Sequence, residues 1–295
     1  MSSKNNSSLH KAKEAKYDEW YTRFEDISAE VSKYAEQLRG KVIYCPCDWD
    51  ESLERVVCYE DGAPSEAVID KIKSTKCNFI NFLLNQAEAY GIKKIIASGY
   101  NPETEQGIRF QDADYSEVDI VITNPPYSQF REFIDIMFQN NLKFLVIGSL
   151  SAITYKECFE HIQNNEMWLG YAKKIGGFIR EDGSLVKKGN DCWYTNLEVS
   201  YRHDRMILTE EYSPAKYPKY DNYDAIEVSK QRDIPADYDG VMGLPISFLQ
   251  NYNPEQFEII KFRKGDDDKD LSVNGKCPFF RILVKRKDVP HENEN

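Results

Sequence analysis

The stretch Asp119-Ile-Val-Ile-Thr-Asn124-Pro125-Pro126-Tyr127 decides how the rest of the chain is read. Val118, Ile120, Val121 and Ile122 form a short apolar run, the pattern of a strand covered on both faces. Asn124 follows directly, and the two prolines then stiffen the backbone and remove two N–H donors. Tyr127 places an aromatic ring at the end of the loop. Ser128 is positioned to cap a following helix, in which Phe130, Phe133, Ile134, Met137 and Phe138 recur at helical spacing. In an open α/β sheet, ligands bind beyond the carboxyl ends of the strands, which is where this loop falls.

Such a loop suits chemistry on a planar amine. Adenine N6 is a poor nucleophile because its lone pair is delocalised into the ring. The side-chain oxygen of Asn124 can accept one N6 hydrogen and the carbonyl of Pro125 the other. Two fixed acceptors favour a pyramidal nitrogen with localised electron density, which is transition-state stabilisation by preorganised dipoles. Tyr127 can stack on the base and hold it in line with an activated methyl group. A bare Asn-Pro dipeptide is an ordinary turn. The full Asn-Pro-Pro-Tyr after a buried strand, with acid upstream, points instead to amino-group methyl transfer. RNA-adenine and protein-glutamine methyltransferases share this loop, so it specifies the amino group more firmly than it specifies DNA.

Outward from that stretch, 295 residues allow one large domain, or one with an appendage. Residues 1–16 are polar and read as a fraying tail without an apolar signal core, and no run of about 18 apolar residues occurs. The expected location is the cytoplasm. The seven cysteines lack a regular framework and a C-x-x-C pair, which fits reduced thiols rather than disulfides or zinc. The net charge of −11 argues mildly against nucleic acid, but phosphate binding needs a local basic surface only. Basic residues do cluster, at Arg202, His203 and Arg205 and at Lys285–Lys287.

Residues 17–39 predict a helix with one apolar stripe, Trp20, Tyr21, Phe24, Ile27, Val31, Tyr34 and Leu38, ended by Gly40. The hydroxyl of Thr22 near its start can bind a carboxylate. On spacing alone, the favoured reading of Tyr21 and its neighbours is an aromatic pair packed beside a helix cap. Val42-Ile43-Tyr44 reads as the first strand, running into Cys45-Pro46-Cys47-Asp48. No G-x-G-x-x-G loop follows it. Asp48 can pair with a cationic ligand group such as an α-ammonium, or serve as a turn or cap residue. Cys45 and Cys47 read as small residues packed at a strand end.

Residues 65–90 predict a helix burying Val68, Ile69, Ile72, Phe79, Phe82 and Leu83. Strands follow at Lys94–Ala97, Ile108–Phe110, the opening stretch, Phe144–Gly148, Trp168–Gly170 and Trp193–Leu197. Ile175–Ser184 has hairpin turn chemistry. Alternating strands and helices predict a doubly wound, mostly parallel sheet. Residues 211–240 are rich in Tyr, Pro and Asp without a helical period and read as irregular structure. A turn at Asn274-Gly275-Lys276 leads into a basic strand from Phe279 to Lys285.

From about Lys16 to Lys287 the chain resembles the EcoRI-type adenine-specific DNA methyltransferases. The resemblance rests on Asp-Glu-Trp-Tyr21-Thr22, Val-Ile-Tyr44-Cys-Pro-Cys-Asp48, the Asn124-Pro-Pro-Tyr-Ser-Gln-Phe-Arg131-Glu block, Ala152-Ile-Thr-Tyr-Lys156-Glu, Trp193-Tyr-Thr-Asn-Leu197 and Gly240-Val-Met-Gly-Leu-Pro-Ile-Ser-Phe248. It implies a Rossmann-like methyltransferase fold, S-adenosylmethionine as cofactor and duplex DNA as partner, with the target adenine flipped out, as in restriction–modification systems. It implies catalytic roles for Asn124, Pro125, Pro126 and Tyr127. Tyr21 and Thr22 take the place of the family's cofactor segment, and Tyr44, Cys45, Pro46 and Asp48 that of its Gly-rich loop. Asp114 and Tyr115 resemble the pair that holds the donor's adenine, with Asp112 the second candidate. The general G-x-G is missing, and no acid ends the strand at Ala97-Ser-Gly-Tyr100. The implied organisation is a tail at 1–16, a catalytic domain at 17–200 and a target-recognition region at 201–295. The alternatives are methylation of RNA adenine or protein glutamine, or a non-catalytic DNA-binding relative.

Overall fold

A computed structural model describes residues 21–48, 54–66, 68, 77–102, 104–180, 182–187 and 189–287. Residues 1–152 with 169–198 form one compact unit, and 153–168 with 199–295 form a second.

The first unit is built on β1 (Val42–Cys45), β2 (Val56–Glu60), β3 (Lys94–Ala97), β4 (Ile120–Thr123), β5 (Lys143–Ser149) and β6 (Asp191–Thr195). They lie side by side in the order β6-β5-β4-β1-β3-β2. β3, β1, β4 and β5 run parallel, while β2 and β6 are antiparallel to their neighbours. Every residue of β1 and β4 is buried, as expected of parallel strands covered on both faces. Around the sheet pack α1 (Phe24–Val31), α2 (Asn78–Tyr90) and α3 (Phe130–Gln139). Phe24 meets Phe82 at 5.8 Å between ring centroids, Phe130 meets Tyr194 at 5.1 Å, and Phe138 meets Phe144 at 5.7 Å. After β1 the chain builds β2 and β3 on one side and later enters β4 on the other. That reversal opens a crevice at the carboxyl ends of β1 and β4, the switch point where doubly wound folds bind ligands.

Several expectations change. Ile108–Phe110 is not a strand, because β1 already has β3 and β4 as neighbours and no vacant edge remains between them. Gln106–Gly107 instead pairs back on Tyr100–Asn101, and Phe110 packs on Phe133 at 5.1 Å. Val56–Glu60 is a strand that the sequence pattern did not signal. The first helix starts at Phe24 and tightens into a 3₁₀ turn at Ser32–Tyr34, because Tyr21–Thr22 are extended and pair with Phe178–Ile179. The second long helix begins at Asn78, and Gly91 ends it with φ +64°. The expected tail at 1–16, Trp20, Ile69 and Ile72 lie outside the described residues. Ser128 sits inside the 3₁₀ turn Tyr127–Gln129 rather than capping α3. The hairpin at 175–184 forms, with Phe178–Ile179 antiparallel to Leu185–Val186 and Gly183 at φ +81°.

The second unit comprises α4 (Lys156–Gln163), β7 (Ala225–Glu227), β8 (Val241–Pro245), β9 (Phe257–Phe262) and β10 (Arg281–Arg286). Its strand order is β7-β8-β10-β9, with β7 parallel to β8 and the other pairs antiparallel. Beside this sheet lies a polar knot. The Arg281 guanidinium donates to Glu227 at 2.7–3.1 Å, and the hydroxyls of Tyr220 and Ser229 donate to the same carboxylate. Gly243 admits the Tyr220 ring, since a Cβ there would collide with its hydroxyl. The basic strand alternates as a strand must: Lys285 and Lys287 face out, while Arg286 is buried and donates to the carbonyl of Ala236. Arg202 is likewise buried, stacked 3.7 Å over Trp168 and bonded to Asn165.

Candidate active site

Asn124 follows β4 directly. Pro125 is buried, and Pro126 leads into the 3₁₀ turn that feeds α3. The side-chain oxygen of Asn124 is shielded from solvent. At the start of the strand, Asp119 accepts a hydrogen bond from the Val42 N–H at 2.8 Å, which locks β4 to β1 before the loop begins.

At the other lip of the crevice, β1 ends in the turn that carries Asp48. The Asp48 N–H donates to the Ser98 carbonyl at 3.2 Å, and its carboxylate accepts from the Thr123 hydroxyl. Thr123 immediately precedes Asn124, so one hydrogen bond ties the two lips of the switch point. Burial pushes the Asp48 carboxyl up to about 7, with the Thr123 bond opposing the shift. The neighbouring thiols of Cys45 and Cys47 are pushed well up by burial, which makes them packing groups and not nucleophiles.

Tyr44 is fully buried. Its hydroxyl lies 2.5 Å from Ser98 Oγ, and its ring packs 5.6 Å from that of Tyr115. Tyr115 donates to the Phe110 carbonyl at 2.8 Å. Arg55 sits over the Tyr44 ring at 5.6 Å and pairs with Asp114 at 3.6 Å and Glu117 at 2.8 Å. Asp114 also caps the Ser116 N–H at 2.9 Å, which holds its carboxyl below the usual range. Asp112 is exposed one turn earlier, its own N–H donating to the Arg109 carbonyl. Tyr44, Tyr115 and Asp114 are thus one connected cluster, and Asp112 stands outside it.

Thr22 is joined to the Pro-Pro-Tyr turn from far away in sequence. Its backbone pairs with Phe178, its carbonyl accepts from the Asn78 amide at 2.8 Å, and Phe178 meets Tyr127 edge-on at 6.4 Å. The N-terminal segment, the hairpin and the Pro-Pro-Tyr turn are therefore one assembly. The Thr22 hydroxyl is buried, 3% exposed, and has no hydrogen-bond partner. An unsatisfied buried hydroxyl costs about 1–3 kcal/mol, which a ligand acceptor would relieve.

Sequence reasoning missed four residues here: Thr123, Ser98, Phe178 and Glu30. Glu30 is fully buried and accepts from the N–H groups of Tyr171 at 2.8 Å and Ala172 at 2.6 Å and from the Tyr34 hydroxyl at 2.8 Å, while burial raises its carboxyl. It anchors the chain entering the hairpin to α1. An acid at position 30, inside the stripe of Ile27, Val31 and Tyr34, was the available signal. Among the described residues no cluster of His, Cys, Asp or Glu could hold a metal, and no helix is long and apolar enough to cross a membrane.

The family model described as adenine-specific methyltransferase EcoRI matches residues 8–55 and 113–287. The Type II methyltransferase M.EcoRI of Escherichia coli is 39% identical, with 96% of this chain and 97% of that protein covered. The Type II methyltransferase M.MpnI of Mycoplasma pneumoniae is 32% identical over 95% of this chain and 98% of its own length. No solved structure matches the chain significantly.

Proposed function

This chain belongs to the EcoRI family of adenine-specific methyltransferases, and from that premise we propose that it methylates adenine N6 at a defined site in duplex DNA. The observation that carries the reading is the Asn124-Pro125-Pro126-Tyr127 turn at the switch point, tied through Thr123 to Asp48. Asn124 Oδ1 and the Pro125 carbonyl accept the two amine hydrogens. Tyr127, steadied by Phe178, stacks on a base flipped out of the helix.

The residues fit S-adenosylmethionine as cofactor. The unpartnered Thr22 hydroxyl suits the donor's carboxylate, and the protonation-prone Asp48 suits a nearby positive charge. When bound, the donor supplies a methyl group activated on sulfonium sulfur. Tyr21, Tyr44, Cys45 and Pro46 shape the floor of the cofactor site, with Asp112, Asp114 and Tyr115 at the adenine end. Asp114, joined to Tyr44 through Arg55, is the first candidate for the polar contact there and Asp112 the second. For DNA, the hairpin offers Lys173, Lys174, Arg180 and Lys187, all at least partly exposed; Lys188 lies outside the described residues. Arg202, buried under Trp168, is removed from the phosphate-binding set. We assign target recognition to the second unit and catalysis to the first.

Incubation with labelled S-adenosylmethionine and mixed DNA, followed by mapping of modified adenines, tests the reading. The expected result is N6-methyladenine in one recurrent duplex sequence. Label in RNA or in protein glutamine, with none in DNA, would overturn it.

A further inference from the structure

In the second unit the loop Asp204–Leu208 carries Ile207, which is 91% exposed and the most exposed large apolar side chain among the described residues. An isoleucine in water is ordinary on a loose loop, but this loop is held tightly. The buried Gln256 amide accepts from the Met206 N–H at 2.8 Å and donates to the Met206 carbonyl at 3.0 Å. The buried Asn253 amide donates to the Asp204 carbonyl at 3.1 Å. Gln231 contacts the Met206 sulfur at 3.4 Å and is itself held by Asn251 at 2.9 Å. Two buried side-chain amides thus fix the backbone on the N-terminal side of Ile207, and the result is an apolar side chain projected into solvent from a rigid base.

Its surroundings are cationic. Ile207 borders a cavity of about 770 Å³ whose lining includes Arg205, Lys230 and Arg232 with Asp204 as its acid. Arg232 also approaches Asp233 at 3.6 Å. In a chain of net charge −11, three cations around one apolar tip are a local exception. Cations suit phosphates, which position a protein on a duplex without reading it. A fixed apolar tip suits a base edge, and the one apolar group that distinguishes base pairs in the major groove is the thymine methyl.

We propose that Asp204–Leu208 is a base-reading element in which Ile207 packs on a thymine methyl of the recognition site while Arg205, Lys230 and Arg232 engage the flanking phosphates. The inference rests on the duplex-DNA reading above. Failure of that reading would show first, as an absence of methylated adenines in DNA. Once the site is mapped, each thymine of a site duplex is replaced in turn by uracil, which lacks only the methyl. Affinities are then measured for the full-length protein and for Ile207→Ala. One uracil position should weaken wild-type binding about fourfold, the worth of one buried methyl, and have no effect in Ile207→Ala. The denaturant midpoint of the second unit in the variant should match the wild type, which checks its fold. The triple change Arg205→Gln, Lys230→Gln and Arg232→Gln should weaken site and random duplexes alike. It should also flatten the log–log salt dependence, by about 0.9 for each phosphate no longer neutralised. If every uracil effect persists unchanged in Ile207→Ala, or if the triple variant keeps the wild-type salt slope, the proposal is overturned.

Discussion

The Glu227 knot of the second unit and the crevice of the first treat buried polar groups in opposite ways. At the knot, Glu227 accepts from Arg281, Tyr220 and Ser229, so its charge is satisfied within the fold. At the crevice, the Thr22 hydroxyl is buried without a partner, and Asp48 is protonated more readily than a free carboxyl. A saturated cluster is architecture, because removing a member strands the rest. Unsatisfied groups around a crevice are a cost the free protein carries, and a ligand of the right polarity removes it. Changes at the crevice should therefore impair binding or rate with little loss of stability, and changes at the knot should do the reverse.

The sharpest form of this contrast is Asn124→Ala. Removing one fixed acceptor for the amine should raise the barrier by about 3 kcal/mol or more, by analogy with loss of an oxyanion-hole donor. Methyl transfer should fall at least a hundredfold in single-turnover assays while S-adenosylmethionine binding stays within twofold. Near-normal turnover would remove the catalytic assignment. At the knot, Glu227→Gln leaves the Arg281 guanidinium buried against a neutral group, with side-chain exposures of 11% for Arg281 and 9% for Glu227. Breaking a buried pair from one side costs roughly 3 kcal/mol, visible as a lower denaturant midpoint for the second unit. If the midpoint holds while cofactor binding drops, the division of labour between the units is wrong.

Thr22→Val comes next in size. It replaces the unpartnered hydroxyl with a methyl of similar shape. Loss of one hydrogen bond to a charged group is worth roughly 1.5–3 kcal/mol. The dissociation constant for S-adenosylmethionine should rise ten- to a hundredfold, with turnover at saturation nearly unchanged and thermal stability equal to or above wild type. An unchanged dissociation constant would return Thr22 to a packing role beside α1.

The sequence carried the first unit's plan because parallel strands buried on both faces are continuous apolar runs. Val42–Tyr44, Lys94–Ala97, Ile120–Ile122 and Phe144–Gly148 could each be read directly, and the Pro-Pro-Tyr turn followed from the last residue of one of them. The Val56–Glu60 strand could not, because its burial runs from half-buried Val56 and Val57 through buried Cys58 and Tyr59 to exposed Glu60, with no alternation. Nor could the joining of Thr22 to Phe178 and Tyr127, which depends on pairing across more than 150 positions with no local signature. Ile207 had no pattern at all: what singles it out is exposure on a clamped loop, and the clamps, Asn253 and Gln256, lie about 50 residues away. In the Arg202–Arg205 cluster Arg202 turns inward while His203 and Arg205 stay exposed, which charge in sequence does not reveal.

The smallest expected effect probes Asp48, where the contrast between the units becomes a pH dependence. Its carboxyl titrates at about 7 in the free protein, against roughly 3.9 in an unfolded chain. Between those values the folded state holds the extra proton, so the stability of the free protein declines as pH rises through this window. A positive charge placed beside Asp48 reverses the preference and favours the carboxylate. Binding S-adenosylmethionine below pH 7 should then release a proton, and affinity should rise as pH climbs. From pH 6 to 7.5 the gain should be roughly five- to tenfold, levelling off above, in a range below that where the donor's α-amine titrates, near 8. Calorimetry at pH 6.5 in buffers of different ionisation heats counts the proton directly. Asp48→Asn keeps the Thr123 contact but cannot titrate, so both the proton release and the pH slope should vanish. The same slope in Asp48→Asn would assign the titration to another group and leave Asp48 as a turn residue that merely joins β1 to β4.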